Sequence, residues 1–462
     1  MKSNSKRLLS LFLITLSACS SAPKEADTRK SDAEIAADRE LGLHFDLKQR
    51  TLSNGLQILV VEDHTVPLVS YQTWVNAGSV DERFGLTGIA HLFEHLMFKG
   101  STRFGPRAFF NELEAKGAQV NAFTTRDYTV FHETFIPELL PKVIELEADR
   151  LSGLLLDDEI LFTERHVVFE ERKLRSENSP EGRMQEALWE LSYRVHPYRA
   201  PVIGYEEDLG RIRADDLRTF FSQYYQPQNV SIVVVGDVKA REVFSAISEA
   251  YGSIPKAVRP ERKVPKEPVQ TEERRKILKD QVNSERISIA YPSTSALEMD
   301  TYALDLLSQI LFSGSGSRAN QRLVEEKKIV ESVSGVNYTP LYPGLFMIHA
   351  TMRGGRKTDE FEREIEKLIR EVQEKGVTEE ELSRAKRQIL VQTVDSLRTA
   401  HGVANLIGTV KVVFDDPLRF KTDLKFYDEV KAEDIRKVAQ AYLLPNRRNI
   451  IQLVPGKREE SE

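Results

Sequence analysis

The chain has 462 residues, 40% of them apolar and 29% charged, with 65 Lys and Arg against 71 Asp and Glu for a net charge of −6. That length suits two large domains or three smaller ones with ample core. The composition excludes a disordered chain and a polybasic nucleic-acid binder, and no apolar run reaches the roughly 18 residues that would span a bilayer.

At the start of the chain Lys2, Lys6 and Arg7 precede the apolar run Leu8 to Leu16, which ends in Leu16-Ser17-Ala18-Cys19. A charged segment, a short apolar segment and a small-residue cleavage box are the parts of an export signal. Cys19 is the only cysteine, and the box resembles that of a bacterial lipoprotein. The resemblance implies that residues 1–18 are removed, that Cys19 is lipidated, and that the protein is anchored in the bacterial cell envelope facing the periplasm. A lone cysteine permits no intramolecular disulfide, so stability must come from core size. Residues 19–45, rich in Ser, Ala, Asp, Glu and Lys, are expected to form a flexible tether.

Strands are predicted over 55–61 and 67–75, with Asn54-Gly55 marking the entry, and further strands over 120–125, 129–136 and 230–235. Apolar spacing predicts helices over 88–98, 109–116, 138–152, 158–175 and 214–225. Pro255, Pro260, Pro265 and Pro268 stand among charges and predict an extended linker over 253–273. It separates a first domain, 46–252, from a second, 274–457. The two are related, because Ala214-Asp215-Asp216-Leu217, Tyr224, Pro227 and Ile232 to Val235 recur in order as Ala432-Glu433-Asp434-Ile435, Tyr442, Pro445 and Ile450 to Leu453. The expected fold is α+β: two tandem homologous domains, each a mainly antiparallel sheet packed with helices. The charge-laced helix predicted over 359–375 reads as a solvated face, and His44, His64, His132, His349 and His401 have no partner at metal spacing.

The predicted helix at 88–98 carries His91-Leu92-Phe93-Glu94-His95. Two imidazoles at i and i+4 share one face and can hold one metal ion, and zinc suits such donors together with a carboxylate. Beside them, Glu94 can act as general base toward a water. The third ligand must come from another element, and the helix at 158–175 offers Glu164, His166, Glu170 and Glu171. Glu164 and Glu171 lie two turns apart on one face.

The stretches Gly88 to Ser101, Gly117 to Thr124, Glu145 to Arg150, Val167 to Arg172 and His196-Pro197-Tyr198 together resemble the pitrilysin-like inverzincin peptidases, which include insulysin and the mitochondrial processing peptidase. The likeness covers about Leu47 to Pro455. It implies a clamshell half in which His91, His95 and Glu171 bind Zn²⁺, Glu94 is the catalytic base and Glu164 supports the site. Glu170 would point about 100° away from Glu171 on a helix. The resemblance also implies that Asn121, Ala122 and Phe123 lie on an edge strand that accepts a peptide substrate by β-augmentation.

Only the first half can be catalytic, since the counterparts of His91, Glu94 and His95 in the second are about Asp305, Ser308 and Gln309. Active relatives also carry an Arg and, seven residues later, a Tyr that stabilise the oxyanion. Val324 and Glu331 stand in those places. The expectation is therefore a zinc endopeptidase acting on peptides or unfolded polypeptide segments in the envelope, in a heterodimer with a homologous subunit that supplies the Arg/Tyr pair. A homodimer is the second choice, and a non-catalytic peptide-binding or assembly subunit of the same fold is the alternative.

Overall fold

A computed structural model describes residues 46–258 and 260–458; Cys19, His44 and the tether lie outside the described residues. The first half carries strands β1 (Leu47–Thr51), β2 (Gln57–Glu62), β3 (Val69–Val75), β4 (Gln119–Thr124), β5 (Thr129–Phe135) and β6 (Val230–Gly236) in one sheet ordered β1-β2-β6-β3-β5-β4. Its helices are α1 (Ile89–Leu96), α2 (Ala108–Glu112), α3 (Leu140–Gly153), α4 (Asp158–Arg172), α5 (Pro180–Ser192), α6 (Glu206–Arg211), α7 (Ala214–Tyr224) and α8 (Ala240–Tyr251). The second half carries β7 (Arg274–Asp280), β8 (Arg286–Pro292), β9 (Val330–Tyr338), β10 (Leu345–Met352) and β11 (Asn449–Pro455), ordered β7-β11-β8-β10-β9. With them come α9 (Asp300–Phe312), α10 (Thr358–Lys375), α11 (Glu379–Ser396), α12 (Ala400–Phe414), α13 (Arg419–Glu429) and α14 (Ala432–Tyr442). No helix among the described residues is long and apolar enough to cross a membrane.

The two sheets superpose in topology: β2, β6, β3, β5 and β4 correspond in order to β7, β11, β8, β10 and β9. In each, one parallel pair, β2 with β6 and β7 with β11, sits in an otherwise antiparallel sheet. This is the α+β fold with two homologous halves that the repeat implies. The first sheet adds β1, a polar strand paired with β2 that hydrophobic patterning does not reveal.

Strands β3 and β6 are buried almost throughout because both faces of their sheet are covered. One face packs Ile232, Val234 and Phe131 against Phe93 and Leu92 of α1 and Leu146 of α3. The other face, with Leu59, Trp74, Val130 and Val233, is covered by Val403, Ala404 and Ile407 of α12, a helix of the second half. Gly408 makes this approach possible, since a side chain there would overlap the Trp74 indole. The exchange is reciprocal: α5 of the first half lays Met184, Leu188 and Trp189 on Ala290, Met347, Ile451 and Leu453 of the second sheet.

The described residues of the segment between α8 and β7 form no helix or strand, but they are anchored at more than one point. Arg262 donates to Asp81 Oδ1 at 2.8 Å and to the Asp127 carbonyl at 2.6 Å, and Glu267 accepts from the Val195 and His196 backbone at 3.0 Å. It is a strap rather than a loose connection.

Two local readings change. The helix expected over 158–175 ends as α-helix at Arg172 and continues as a π-helical turn, Lys173–Glu177. Helix α10 is solvated on one side only; Phe361, Ile365, Leu368, Ile369 and Val372 form a buried stripe at helical spacing among its charges.

Candidate functional site

Helix α1 starts at Gly88, whose φ of +88° and lack of a side chain let it lie against the backbone of Ile203 and Gly204. Its first turn is capped by Glu82, which accepts from the Gly88 and Ala90 N–H groups at 3.0 Å. Ile89, Leu92, Phe93 and Leu96 enter the core, Phe93 stacking on Phe221 with centroids 5.7 Å apart. The helix is thereby fixed with His91 and His95 toward α4. That helix is capped by Asp157, which accepts from Ile160 N at 2.8 Å, and it buries Leu161 and Val168 while turning Glu164 and Glu171 toward the histidines.

Glu171 Oε2 lies 3.2 Å from His95 Nε2 and 3.7 Å from His91 Nε2. One donor atom from each of His91, His95 and Glu171 lies within 4.8 Å of the others. Glu164 Oε2 is 3.7 Å from His95 Nδ1, and its other oxygen meets Lys99 Nζ at 2.7 Å. Arg175 Nη1 takes the remaining Glu171 oxygen, Oε1, at 2.8 Å. Glu94 is half-buried and accepts a hydrogen bond from Thr124 Oγ1 at 2.5 Å.

The electrostatics follow from burial among charges. Burial, with His95 beside it, pushes His91 down to about 4. Burial works against the charged form of His95 as well, but the Glu164 and Glu171 carboxylates beside it prevail and raise it to about 9. The adjacent His95 lowers Glu171, and burial raises Glu94 against the pull of the Thr124 hydroxyl.

The donor set fits a zinc ion. Two imidazoles and one carboxylate are its usual catalytic ligands, Glu171 Oε2 is buried without a hydrogen-bond partner, and a cation among the three would satisfy it. Of the alternatives left open by spacing, Glu170 is exposed and pairs with Lys173 at 2.8 Å, and His166 is exposed with Nδ1 2.9 Å from the Phe162 carbonyl.

Strand β4 ends the first sheet and pairs only with β5. Val120 and Ala122 face the core that holds α1, whereas Phe123 packs on the opposite face, 6.3 Å from Trp74. Phe123 can therefore meet a peptide at the site only through its backbone. Asn121 is exposed, and its Oδ1 accepts from the Ala122 N–H at 2.9 Å. A peptide strand pairing there would have to take that N–H from the Asn121 side chain.

In the second half Asp305 is enclosed by Asn337 at 2.8 Å and Tyr427 at 2.5 Å, and Ser308 donates to the Gly335 carbonyl at 3.1 Å. Val324 packs against the second core, and Glu331 is exposed on the edge strand β9. Sequence reasoning missed Lys99, Thr124 and Arg175 as parts of the site. Lys99 and Arg175 each follow a motif residue, His95 and Glu171, by four positions, which is the one signal the sequence offered.

Comparison with known proteins adds the following. Residues 57–206 match the insulinase family of peptidases, M16, and residues 211–389 match the peptidase M16 inactive domain. The zinc protease PqqE of Helicobacter pylori is 29% identical over 88% of this chain and 92% of its own length. The crystal structure of a protease from Helicobacter pylori aligns with a TM-score of 0.85 at 27% identity, covering 89% of this chain and 100% of that one. A peptidase M16 inactive domain from Pseudomonas fluorescens aligns with a TM-score of 0.81 over 90% of this chain and 100% of its own, at 17% identity, which speaks to the fold alone.

Proposed function

The chain belongs to peptidase family M16, the insulinase family, and from that premise we propose that it is a zinc-dependent endopeptidase of the bacterial cell envelope, hydrolysing peptides or unfolded polypeptide segments. The observation that carries this reading is the convergence of His91, His95 and Glu171 with Glu94 on the same helix as the two histidines.

His91, His95 and Glu171 would hold the zinc. When bound, it supplies Lewis-acid polarisation of a carbonyl and eases deprotonation of a water. Glu94, held by Thr124, takes a proton from the attacking water and returns it to the leaving amine. Glu164 orients His95 from behind, with Lys99 neutralising its other oxygen. The free edge of β4 at Asn121, Ala122 and Phe123 binds the peptide as an added strand, so that backbone pairing supplies affinity with little sequence demand.

A homologous subunit provides the Arg/Tyr pair that Val324 and Glu331 lack, and lipidated Cys19 tethers the chain to the membrane. Changing Glu94 to Gln is expected to leave zinc content unchanged and to abolish hydrolysis; hydrolysis retained in that variant would remove Glu94 from the mechanism. Val324 and Glu331 also favour a second reading, a peptide-binding subunit without cleavage, which predicts peptide binding insensitive to chelators.

A further inference from the structure

We propose that Arg175 is a positioning residue for Glu171, delivered by the π-helical turn that ends α4 and held there by α5. The inference rests on the zinc site described above and asks what fixes the carboxylate that completes it.

A glutamate at the end of a helix can turn either oxygen, or neither, toward a neighbour. Here Arg175 Nη1 occupies Oε1 at 2.8 Å, which leaves Oε2 alone facing His91 and His95. The same logic serves Glu164, whose Oε1 is held by Lys99 while Oε2 faces His95. In both cases a cation takes the oxygen that is not needed and so selects the one that is.

Arg175 lies in the turn Lys173–Glu177, where the ladder widens from α to π; such local expansions recur at functional sites. The turn is clamped from two sides. Gly182 of α5 abuts its backbone so closely that a side chain there would overlap the Arg175 carbonyl and Ser176. Arg172, just before the turn, is tied to Glu186 of α5 at 2.8 Å and to the Gly204 carbonyl at 2.8 Å. Helix α5 is in turn seated on the second sheet through Met184, Leu188 and Trp189, and its Arg183 pairs with Asp280 of β7. A continuous set of contacts thus runs from the non-catalytic half to a ligand of the catalytic one.

The Arg175 side chain is 71% exposed and Glu171 only 16%. An ion pair so open to water adds little to folding stability, so its removal should be felt in the arrangement of Glu171 rather than in the fold. Partners behind a metal ligand are typically worth about 10- to 100-fold in metal affinity.

The test is zinc affinity of the full chain, measured by competition with a chromogenic chelator, together with thermal unfolding of the metal-free protein. Arg175→Met is expected to weaken zinc binding about tenfold with the metal-free midpoint unchanged. Arg175→Lys should recover most of that loss, and Gly182→Ala should weaken zinc binding in the same direction by displacing the turn. Zinc affinity in Arg175→Met equal to that of the parent would overturn the proposal while leaving the zinc site standing. So would an equal loss in Arg175→Met and Arg175→Lys, which would assign the effect to side-chain shape rather than charge. A parent chain that binds no zinc would instead remove the site itself, and this inference with it.

Discussion

The Thr124 hydroxyl donates to Glu94 Oε2 at 2.5 Å, so the last residue of the edge strand β4 holds the carboxylate of the zinc-motif helix. The strand edge and the Glu94 carboxylate are therefore held in a fixed relation to each other. Thr124→Val keeps the side-chain volume and removes the hydroxyl. It is expected to bind zinc as the parent does and to lose about 10- to 100-fold in kcat with little change in KM, as for a catalytic group left slightly misplaced. Steady-state kinetics and metal content measure both, and an unchanged kcat would show that Glu94 needs no such support.

Neighbouring glutamates at the end of α4 make the ligand assignment sharp. Glu171 faces both histidines, whereas Glu170 points to solvent and pairs with Lys173. Glu171→Gln is expected to lose bound zinc on dialysis and Glu170→Gln to retain it, with metal content read by elemental analysis. Zinc lost from the Glu170 variant and kept by the Glu171 variant would reverse the assignment.

Much of this site was legible because its chemistry is local. His91, Glu94 and His95 fall within one helical turn and a half, and the helix at 158–175 stood out as the source of a carboxylate. Choosing Glu171 over Glu170 required the family resemblance, since periodicity allows either until the face of α4 that packs on α1 is known. Thr124 was not legible, because its partner Glu94 lies on another element, and the four-residue spacing of Lys99 from His95 and of Arg175 from Glu171 does not tell which carboxylate oxygen each cation holds. The same holds for the fold. The repeat announced two related halves, but nothing in the apolar pattern of Val403, Ala404 and Ile407 tells that α12 covers the first sheet rather than its own.

That exchange of helices bears on how the chain can be divided. Residues 46–273 alone would expose the face of Leu59, Trp74, Val130 and Val233 that α12 covers, an apolar patch of the kind that drives association. The fragment is expected to aggregate or to melt without a sharp transition, and co-expression with residues 274–457 should recover a soluble pair. A monomeric fragment with a cooperative unfolding curve would contradict this.

The seam under α12 also predicts a pH dependence. The rings of His132 of β5 and His401 of α12 are in tilted contact, with centroids 4.7 Å apart. Burial, with the second imidazole beside it, lowers His132 to about 4, and burial lowers His401 as well. The unfolded chain takes up these protons near pH 6.5 and the folded chain does not, so the stability present at neutral pH is lost as the pH falls from about 6.5 toward about 4. Melting temperatures of the parent should drop between pH 7 and 5, and those of His132→Gln should drop less. Parallel curves for the two proteins would remove the pair from the account.

The activity proposed for this chain is that of a zinc peptidase whose oxyanion-stabilising pair comes from a second subunit. Its most direct test is zinc content and cleavage of an unstructured peptide by residues 20–462, alone and mixed with a homologue of similar size bearing the Arg/Tyr pair. One zinc ion per chain is expected, with chelator-sensitive cleavage in the mixture only. A chain that binds zinc yet cleaves nothing in either setting, or that binds no zinc, would contradict it.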